Sequence, residues 1–442
     1  MPVMSALLSA MSAAISFGAP YTRGEVFRQF RDPPAEHPDL PSAVRDIKPF
    51  PPCAAEQRGF AAVGKASRRA RALAGRRLLS EMRILQIHSG YSFNGAVRYA
   101  AVVSRLLALR GHEIIILQRP GLDLGSILSM PANIEVQTSS LRRVPEEIRR
   151  LGEFCRRRGI DAIHTHKSSA HSFGALLRLF YRVPCVATAH SLNYQLHWFL
   201  NDRVICHNEE SMRFMRNWNR VARRKLRQVP AFIDQSYLEP AAETPASTRR
   251  RLGIAEDRLM LATVGNVERR KGVHDIVEAM PRVLQAGLDV CLVVAGWFQS
   301  DGYRAEVEER ARALGIAERV TWLMRISDAD IAHVLRAADL YVQASDVETG
   351  PLVVLEAMAV GLPVVGTVCG SMPDFIVPGL TGELVPPAKP DALGEAIVRA
   401  LRDPERRREM GLQGRRRFEA QFSAEVNIPK IEAILAEAAG WA

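Results

Sequence analysis

The sequence lacks several patterns that would assign it to common functional classes. Its six cysteines are scattered and form no C-x-x-C pair, which argues against a zinc site or a dithiol redox motif. No uncharged apolar run reaches the length of a membrane span. No nucleic-acid-binding motif is present. These absences favour a soluble protein of a reducing compartment, which we expect to be the cytoplasm.

The composition is that of a globular protein with excess positive charge. Of 442 residues, 47% are hydrophobic and 24% are charged, and the formal net charge is +11. This length favours two domains with an appendage. Basic surfaces attract diphosphate substrates, anionic lipids or nucleic acids. Since no nucleic-acid motif accompanies the charge, we rank contact with a membrane surface above nucleic-acid binding.

The first 81 residues differ in pattern from the rest. They begin without the positive region of a signal peptide and continue through a segment rich in Pro and Ala and an arginine-rich stretch. Regular strand and helix patterns start only at Met82. We therefore predict that residues 1–81 are a disordered extension or an artefact of an upstream start codon. A cleaved targeting peptide is the weaker alternative.

The most informative stretch is Asp339–Thr367, which reads as strand, loop, helix and strand. Leu340–Gln343 suits a buried strand, and Pro363–Val365 starts the next one. Leu352–Val360 suits a helix, with Pro351 at its first helical position, where the missing N–H costs nothing. Ligands of open parallel sheets bind at the carboxyl ends of the strands. This unit is therefore predicted to border a binding site.

Two carboxylates are placed by this unit. Glu348 lies in the loop, and Glu356 follows eight residues later among apolar residues of the helix. A buried carboxylate is costly unless a partner or a ligand compensates it. The spacing alone leaves two interpretations open: a ligand site, or a structural partner for Glu356 with a solvated Glu348.

The sequence of residues 348–365, ETGPLVVLEAMAVGLPVV, strongly resembles the Glu-x7-Glu signature of the retaining GT-B glycosyltransferases of family 4. The resemblance covers about Met82 to Ala439. It implies an α/β fold with two doubly wound Rossmann-like domains facing across a cleft. It also implies that Glu356 binds the ribose hydroxyls of the donor nucleotide and that Glu348 lies near the donor sugar.

The same resemblance implies the domain boundaries. Residues 82–238 would form the N-terminal acceptor-side domain, and residues 239–247, rich in Pro and Ala, the linker. Residues 248–420 would form the C-terminal nucleotide-sugar-binding domain. Residues 421–442 would belong to a terminal helix, read as Phe418–Ala439, that crosses back to the N-terminal domain.

In the N-terminal half, the resemblance assigns roles to a glycine and a histidine. Gly95 would approach the donor phosphates or the acceptor, although Asn94 replaces the second glycine that family members often carry. The spacing is not G-x-G-x-x-G, so dinucleotide binding is disfavoured. His190 follows a predicted strand, and family members have a histidine there that faces the donor sugar. A structural histidine is the alternative.

In the C-terminal half, the loop Gly265–Gly272, GNVERRKG, resembles the family's G-R-L-x-x-x-K-G motif. Its arginine and lysine clamp the donor diphosphate, where fixed cations stabilise the charge that grows on the leaving group. Lys271 matches the lysine. Asn266 takes the arginine's position, and Arg269 or Arg270 would substitute for it. Backbone N–H groups around Gly350, Pro351 and Leu352 would complete the diphosphate site.

The reaction implied is retaining transfer of a sugar from a UDP- or GDP-type nucleotide sugar to a hydroxyl of a glycan or lipid-linked acceptor. We expect surface polysaccharide or glycolipid synthesis. No cofactor and no metal are expected, because no D-x-D pair stands in the expected place. Arg213–Arg227 carries Phe214, Met215 and Trp218 among basic residues, a pattern that suits a helix on the inner face of the plasma membrane or an ordinary domain surface.

Three alternatives remain open at this point. Asn266, Met324 and Ser371 depart from the family pattern, which would suit a non-catalytic nucleotide-sugar scaffold. Another GT-B enzyme, such as a nucleotide-sugar epimerase, would act on the donor without an acceptor. A basic nucleic-acid binder is the weakest alternative and would bind a duplex with steep salt dependence.

Overall fold

Two parallel β-sheets organise the chain from Met82 onward. The computed structural model describes residues 81–90, 94–121, 131–238, 243–324 and 327–441. Apart from Glu81, the predicted N-terminal extension lies outside the described residues.

The first sheet is built from near-continuous apolar runs, as expected of strands that are covered on both faces. Its seven strands are β1 Arg83–His88, β2 Glu113–Gln118, β3 Ile134–Thr138, β4 Ala162–His166, β5 Cys185–Ala189, β6 Arg203–Cys206 and β7 Leu226–Gln228. All pair in parallel in the order β3-β2-β1-β4-β5-β6-β7. The strand order reverses between β1 and β4, and such a switch point opens a crevice for ligands.

The described residues of this domain include four α-helices: α1 Gly95–Leu109, α2 Pro145–Arg158, α3 Ser168–Tyr181 and α4 Glu209–Asn217. Helix α4 is shorter than the predicted membrane-surface helix over Arg213–Arg227. Arg220 adopts a left-handed φ of 55°, which an α-helix does not allow. The chain continues as a 3₁₀ turn, Arg223–Lys225, and then as β7. The single basic helix was therefore a wrong prediction.

The second sheet contains six strands, again all parallel. They are β8 Leu259–Val264, β9 Val290–Ala295, β10 Val320–Leu323, β11 Leu340–Gln343, β12 Val364–Thr367 and β13 Gly382–Val385. Their order is β10-β9-β8-β11-β12-β13. The switch point lies between β8 and β11, so the loops after these two strands share one crevice.

Nine further helices lie in the described part of this half of the chain. They are α5 Pro245–Arg251, α6 Val273–Gln285, α7 Asp301–Ala313, α8 Asp328–Ala337, α9 Leu352–Ala359, α10 Met372–Phe375, α11 Pro390–Leu401, α12 Pro404–Gln421 and α13 Ala424–Ala439. Helix α5 begins inside the predicted linker, because the side chain of Thr244 accepts a hydrogen bond from the Ser247 N–H and caps it. Pro351 is the N-cap of α9, with extended ψ of 106°, and not its first helical residue.

The predicted terminal helix over Phe418–Ala439 is broken in two. Ser423 is extended, with φ −76° and ψ 156°, and its neighbours pair with Ile233 through two backbone hydrogen bonds, Ile233 N–H to Phe422 O (3.3 Å) and Ala424 N–H to Ile233 O (3.0 Å). The break redirects the chain, so that α13 packs its apolar side, including Ile431, into the core of the first sheet domain.

Ion pairs reinforce this return of α13 to the first domain. Glu432 pairs with Arg110 and accepts from His112. Glu437 pairs with Arg203 and Arg227, whose hydrogen bonds lower the pKa of Glu437 to about 2. The terminal helix therefore joins the domain from which it is most distant in sequence.

Candidate active site

The carboxyl ends of β8, β11 and β1 bring the predicted site residues into one region. The loop after β11 carries Glu348 and Gly350 and leads into α9, and the loop after β8 ends at Lys271. The α1 start faces them: a Cβ placed on Gly95 would lie 3.8 Å from Cδ1 of Leu352. Residues from both sheet domains therefore meet here.

Glu356 is buried on α9, with only 1% of its surface exposed. Its Oε1 accepts hydrogen bonds from Arg98 Nη1 at 3.0 Å and from the Tyr237 hydroxyl. Its Oε2 is buried and has no hydrogen-bond partner among the described residues. Burial raises the pKa of Glu356, although Arg98 opposes this rise. The carboxylate is thus half satisfied: one oxygen accepts hydrogen bonds, and the other accepts none from the described residues.

Arg98 connects α1 of the first domain to two helices of the second. It pairs with Asp328 at the start of α8 as well as with Glu356, and its guanidinium lies 4.8 Å from the ring centre of Tyr237. Burial of the guanidinium lowers the pKa of Arg98, but these partners raise it by more, so the pKa is raised overall. The arginine is therefore positively charged at any working pH and orients Glu356.

Glu348 is 92% buried at its side chain and forms an ion pair with Lys271. The same Oε1 accepts from Ser345 Oγ at 3.0 Å and lies 3.5 Å from Gln343 Nε2. These donors come from the end of β11 and the residues that follow it. The structural alternative of a solvated loop carboxylate does not fit this environment.

The loop that carries Lys271 is held by a close backbone approach. Gly272 has a left-handed φ of 66°, and a Cβ there would lie 1.9 Å from the Ala344 carbonyl oxygen. Only glycine allows this contact, which brings Lys271 to Glu348. Asn266 is exposed and lines a small pocket together with Gly265, Lys271 and Gln343.

The two arginines before Lys271 point in different directions. Arg269 pairs with Glu306 of α7 and lies 5.2 Å from the ring centre of Tyr303, away from Glu348. Arg270 pairs with Glu268 and donates to the Val347 carbonyl at 3.2 Å, next to Glu348. Of the two arginines, Arg270 is the one that contacts the loop carrying Glu348.

Ser371, in place of a second glycine, makes contacts that a glycine could not. Its hydroxyl donates to the Thr349 carbonyl at 2.6 Å and accepts from Asn208 Nδ2 at 2.9 Å. The preceding Gly370 has φ of 49°, and a Cβ there would lie 1.9 Å from the Glu348 carbonyl oxygen. Ser371 therefore ties the loop around Gly350 to the first domain.

His190 belongs to a hydrogen-bonded row of histidines below the first sheet's carboxyl edge. His207 Nδ1 lies 3.1 Å from the Val229 carbonyl, so it carries the proton and donates. His207 Nε2 lies 3.4 Å from His190 Nδ1, and His190 Nε2 lies 3.1 Å from His166 Nδ1. The row ends at Gln86, whose amide oxygen lies 3.1 Å from His166 Nε2.

The row of histidines is kept neutral by its surroundings. Burial lowers the pKa of His207 to about 4, and burial together with neighbouring histidines lowers the pKa of His166 and His190 well below the usual value. Tyr99 packs its ring against His190 and His207 at centroid distances of 5.1 and 5.3 Å. Because both nitrogens of His190 face other histidines, the ring is positioned by the row rather than by a carboxylate.

Sequence reasoning missed several of these residues. Arg98 and Tyr237 hold Glu356, yet they stand 258 and 119 residues from it. Nothing in either local pattern indicates that contact. His207 follows a predicted strand as His190 does, and that shared position was the one available signal for the row of histidines.

The described residues contain no group of three or more His, Cys, Asp or Glu side chains arranged to hold a metal ion. Within the same residues, no helix has the length and apolar character needed to cross a bilayer.

Solved structures share this architecture. The crystal structure of Anabaena HepE in complex with UDP and glucose superposes with a TM-score of 0.70 and 19% identity, covering 81% of this chain and all of that one. The pair of parallel-sheet domains with switch points at β1/β4 and β8/β11 is the GT-B fold.

Sequence comparisons agree with the fold. The family model for glycosyl transferases group 1 matches residues 246–417, and the model for glycosyltransferase family 4 matches residues 93–237. The D-inositol 3-phosphate glycosyltransferase of Geodermatophilus obscurus is 30% identical over 306 residues, which are 63% of this chain and 67% of that protein. The chain therefore belongs to the group 1 glycosyltransferases.

A second relative matches a shorter region. The GDP-mannose-dependent monoacylated alpha-(1-6)-phosphatidylinositol monomannoside mannosyltransferase of Corynebacterium glutamicum is 32% identical over 215 residues. That match spans 47% of this chain and 55% of the relative's own length.

Proposed function

We propose that this protein is a retaining glycosyltransferase that moves a sugar from a UDP- or GDP-type nucleotide sugar to a hydroxyl of a glycan or lipid-linked acceptor. The observation that carries this proposal is the half-satisfied carboxylate of Glu356. We place the reaction in surface polysaccharide or glycolipid synthesis. Two relatives support this placement, because their names indicate action on D-inositol 3-phosphate and on a phosphatidylinositol monomannoside.

Glu356 suits a ribose diol. A buried carboxylate oxygen without a donor costs free energy, and a ligand that supplies hydroxyl donors recovers it. Arg98 and Tyr237 occupy Oε1, so Oε2 remains for the ligand. This division of the two oxygens supports nucleotide binding at α9.

Lys271 suits the diphosphate. It is the cation that faces the loop around Glu348, and Arg270 adds a second positive charge beside it. The N-terminus of α9 follows Pro351, which offers no side-chain cap, so its backbone N–H groups favour an anion. With these groups in place, charge on the leaving diphosphate is stabilised without a metal or a cofactor.

The proposed step breaks the bond between the anomeric carbon and the diphosphate oxygen and forms one to the acceptor oxygen on the same face. The departing phosphate oxygen takes the proton of the acceptor hydroxyl. Glu348, held in place by its pairing with Lys271, would stabilise positive charge on the sugar ring. His190 would face the sugar with its ring, since both of its nitrogens face other histidines, and Gly95 would leave room for the sugar beside Leu352.

We also propose contact with an anionic membrane surface through a patch on the first domain, called here the aromatic-basic surface. Residues 211–228 include seven basic and no acidic side chains. Tyr194, Phe199 and Trp218 are 59%, 45% and 53% exposed. Hydrogen bonds from Gln195 to Asn219 and from Lys225 to the Phe199 carbonyl join these segments into one surface.

The function is tested by titrating the full chain with UDP, GDP and their sugar derivatives and following the melting temperature. A ligand that binds the native state at 100 times its Kd adds about 2.7 kcal/mol to the free energy of unfolding. The variant Glu356→Gln should bind the nucleotide about 10- to 100-fold more weakly. Glu309→Gln, on an exposed part of α7, is the matched control and should leave binding unchanged.

Assays of transfer separate this proposal from its rivals. A product with the donor's anomeric configuration is the expected result. Nucleotide binding without transfer or donor hydrolysis would indicate a scaffold, and conversion of the donor without any acceptor would indicate an epimerase. If no nucleotide raises the melting temperature of the folded protein, the proposal fails.

A further inference from the structure

Three hydrogen bonds connect the two domains behind the loop that carries Glu348. Ser371 Oγ donates to the Thr349 carbonyl at 2.6 Å, and Asn208 Nδ2 donates to Ser371 Oγ at 2.9 Å and to the same carbonyl at 3.4 Å. Ser371 and Asn208 are only 1% and 3% exposed. The Asn208–Ser371 pair is therefore shielded from water, which would otherwise compete for the carbonyl.

The direction of the Asn208 amide is fixed by the helix that it caps. Asn208 is the N-cap of α4, and its Oδ1 accepts from the Ser211 N–H at 2.8 Å. A backbone N–H can only donate, so the side-chain atom that faces it must be the oxygen. The NH2 group of Asn208 therefore faces the second domain, where its two hydrogens reach Ser371 Oγ and the Thr349 carbonyl.

Gly350, the residue after Thr349, is packed closely against both domains. A Cβ placed on Gly350 would lie 3.1 Å from the Cβ of Ala231 in the first domain and 3.8 Å from Ser371 Oγ in the second. Glycine permits this approach because it has no side chain. The same lack of a side chain leaves its backbone dihedral angles little restricted, so other contacts must fix the orientation of the peptide.

The Thr349 carbonyl and the Gly350 N–H belong to one peptide group. That group is planar and trans, so its C=O and its N–H point in opposite directions. Hydrogen bonds to the carbonyl therefore also fix the direction of the N–H. The Gly350 N–H consequently points away from Ser371 and Asn208.

The Gly350 N–H is free to bind a ligand. In the part of the chain that the structure describes, it has no hydrogen-bond acceptor. Pro351, the next residue, has no N–H, and Leu352 already begins α9. Two residues earlier, Glu348 pairs with Lys271, the cation proposed for the donor diphosphate. The Gly350 N–H is therefore the last backbone donor before α9, in a loop that this cation contacts.

We infer that Asn208 and Ser371 are positioning residues for the leaving diphosphate. Neither side chain touches the nucleotide; together they hold the peptide between Thr349 and Gly350 so that its N–H donates to a phosphate oxygen. This inference rests on the proposed function and adds a residue of the first domain to the diphosphate site. An N–H that is already oriented stabilises the charge on the leaving group without reorganisation in the transition state.

Calorimetric titration of the full chain with UDP, UMP, GDP and GMP tests the inference. Native protein should bind the nucleoside diphosphate of its preferred base more tightly than the monophosphate. Ser371→Ala removes one donor from the Thr349 carbonyl and should weaken diphosphate binding about 10-fold. Monophosphate binding should stay within about threefold of the native value, because Glu356 still holds the ribose.

Asn208→Ser is the second variant. A serine at this N-cap can still accept from the Ser211 N–H, but its side chain is too short to reach Ser371. It should also weaken the diphosphate about 10-fold and leave the monophosphate within about threefold. Because both substitutions act on one carbonyl, the double variant should lose much less than the roughly 100-fold that two independent effects would give. A loss of about 100-fold would contradict the shared carbonyl.

Ser104→Ala is the matched control. Ser104 is also buried, and its hydroxyl donates to the Ala100 carbonyl at 2.8 Å, but both residues lie within α1. This variant should bind all four nucleotides as the native protein does. Equal weakening of monophosphate and diphosphate by Ser371→Ala and Asn208→Ser would indicate a merely structural role and overturn the inference. Unchanged binding in both variants would overturn it as well.

Native protein alone gives a result that does not depend on the folding of any variant. If it binds the monophosphate as tightly as the diphosphate, no oriented group holds the second phosphate. The inference is then overturned, whereas nucleotide binding and the proposed function stand. If native protein binds none of the four nucleotides, the proposed function is overturned and the inference with it.

Discussion

The pairing of Glu348 with Lys271 couples the two charges that matter most for the proposed chemistry. Without the lysine, a carboxylate that is 92% buried at its side chain would be costly. With it, both groups are held in place before any substrate arrives. Preorganised charge of this kind loses little free energy to reorganisation in the transition state.

We expect Glu348→Gln to reduce kcat for sugar transfer about 100-fold, because it removes the negative charge beside the sugar ring. The nucleotide affinity should change by less than about threefold, since Glu356 and the diphosphate groups remain. Initial-rate kinetics with the donor that the melting-temperature titrations select would measure both. Glu306→Gln, which removes the exposed partner of Arg269, is the control. An unchanged kcat in Glu348→Gln would contradict its assigned role.

Residues of this site differ in how far the sequence could reveal them. Glu348, Glu356 and Lys271 stand in short motifs, and the resemblance of these motifs to those of a known family assigned them to the predicted site. Arg98 was not predictable, because its role depends on a contact between two domains and not on its neighbours.

At the scale of elements, the aromatic-basic surface is assembled from α4, the 3₁₀ turn after it and the loop that carries Tyr194. The sequence indicated basic and apolar residues between Arg213 and Arg227 and interpreted them as one helix. The left-handed Arg220 divides that helix, yet the hydrogen bond from Lys225 to the Phe199 carbonyl still joins the basic stretch to an exposed ring. The sequence predicted that basic and apolar side chains belong to this surface, whereas the path of the backbone depends on the φ angle of Arg220.

We expect the full chain to sediment with phosphatidylcholine vesicles that contain phosphatidylglycerol and not with phosphatidylcholine alone. The double variant Arg223→Gln/Arg224→Gln should bind roughly 30-fold more weakly, since each basic residue near an anionic surface contributes about 1 kcal/mol. Arg415→Gln/Arg416→Gln on α12 removes the same charge from exposed positions elsewhere and is the control. Equal binding by both double variants would exclude this surface as the docking site.

Element boundaries that involve distant contacts were the least predictable. Strand β11 has the predicted bounds, because a buried parallel strand leaves a strong apolar signal. The break at Ser423 carries no such signal. It follows from backbone pairing with Ile233, which is 190 residues away in sequence.

At the scale of the whole molecule, the buried histidines make stability depend on pH. Burial lowers the pKa of His88 and His207 to about 4 and that of His164 to about 3. The unfolded chain, in which these rings titrate near 6.5, therefore binds more protons below that pH. Stability is full above pH 6.5 and is lost as the pH falls toward 4.

We expect the free energy of unfolding to fall by about 1.4 kcal/mol per pH unit for each such histidine below pH 6.5. Urea titrations between pH 4 and 8 would measure this slope. His207→Gln should reduce the slope by one histidine's share, whereas His274→Gln, which replaces a half-buried histidine on α6, should not change it. A native protein whose stability is constant from pH 8 to pH 4.5 would contradict the prediction.

The return of α13 to the first domain has a consequence for synthesis. The core of that domain includes Ile428, Ile431 and Leu435 of α13. The arginines at positions 110, 203 and 227 form ion pairs with carboxylates of the same helix. During translation, the first sheet emerges from the ribosome long before these side chains exist. The domain made first must therefore wait with an uncovered apolar groove until the second domain and α13 have been synthesised, and this interval is when the nascent chain most needs a chaperone.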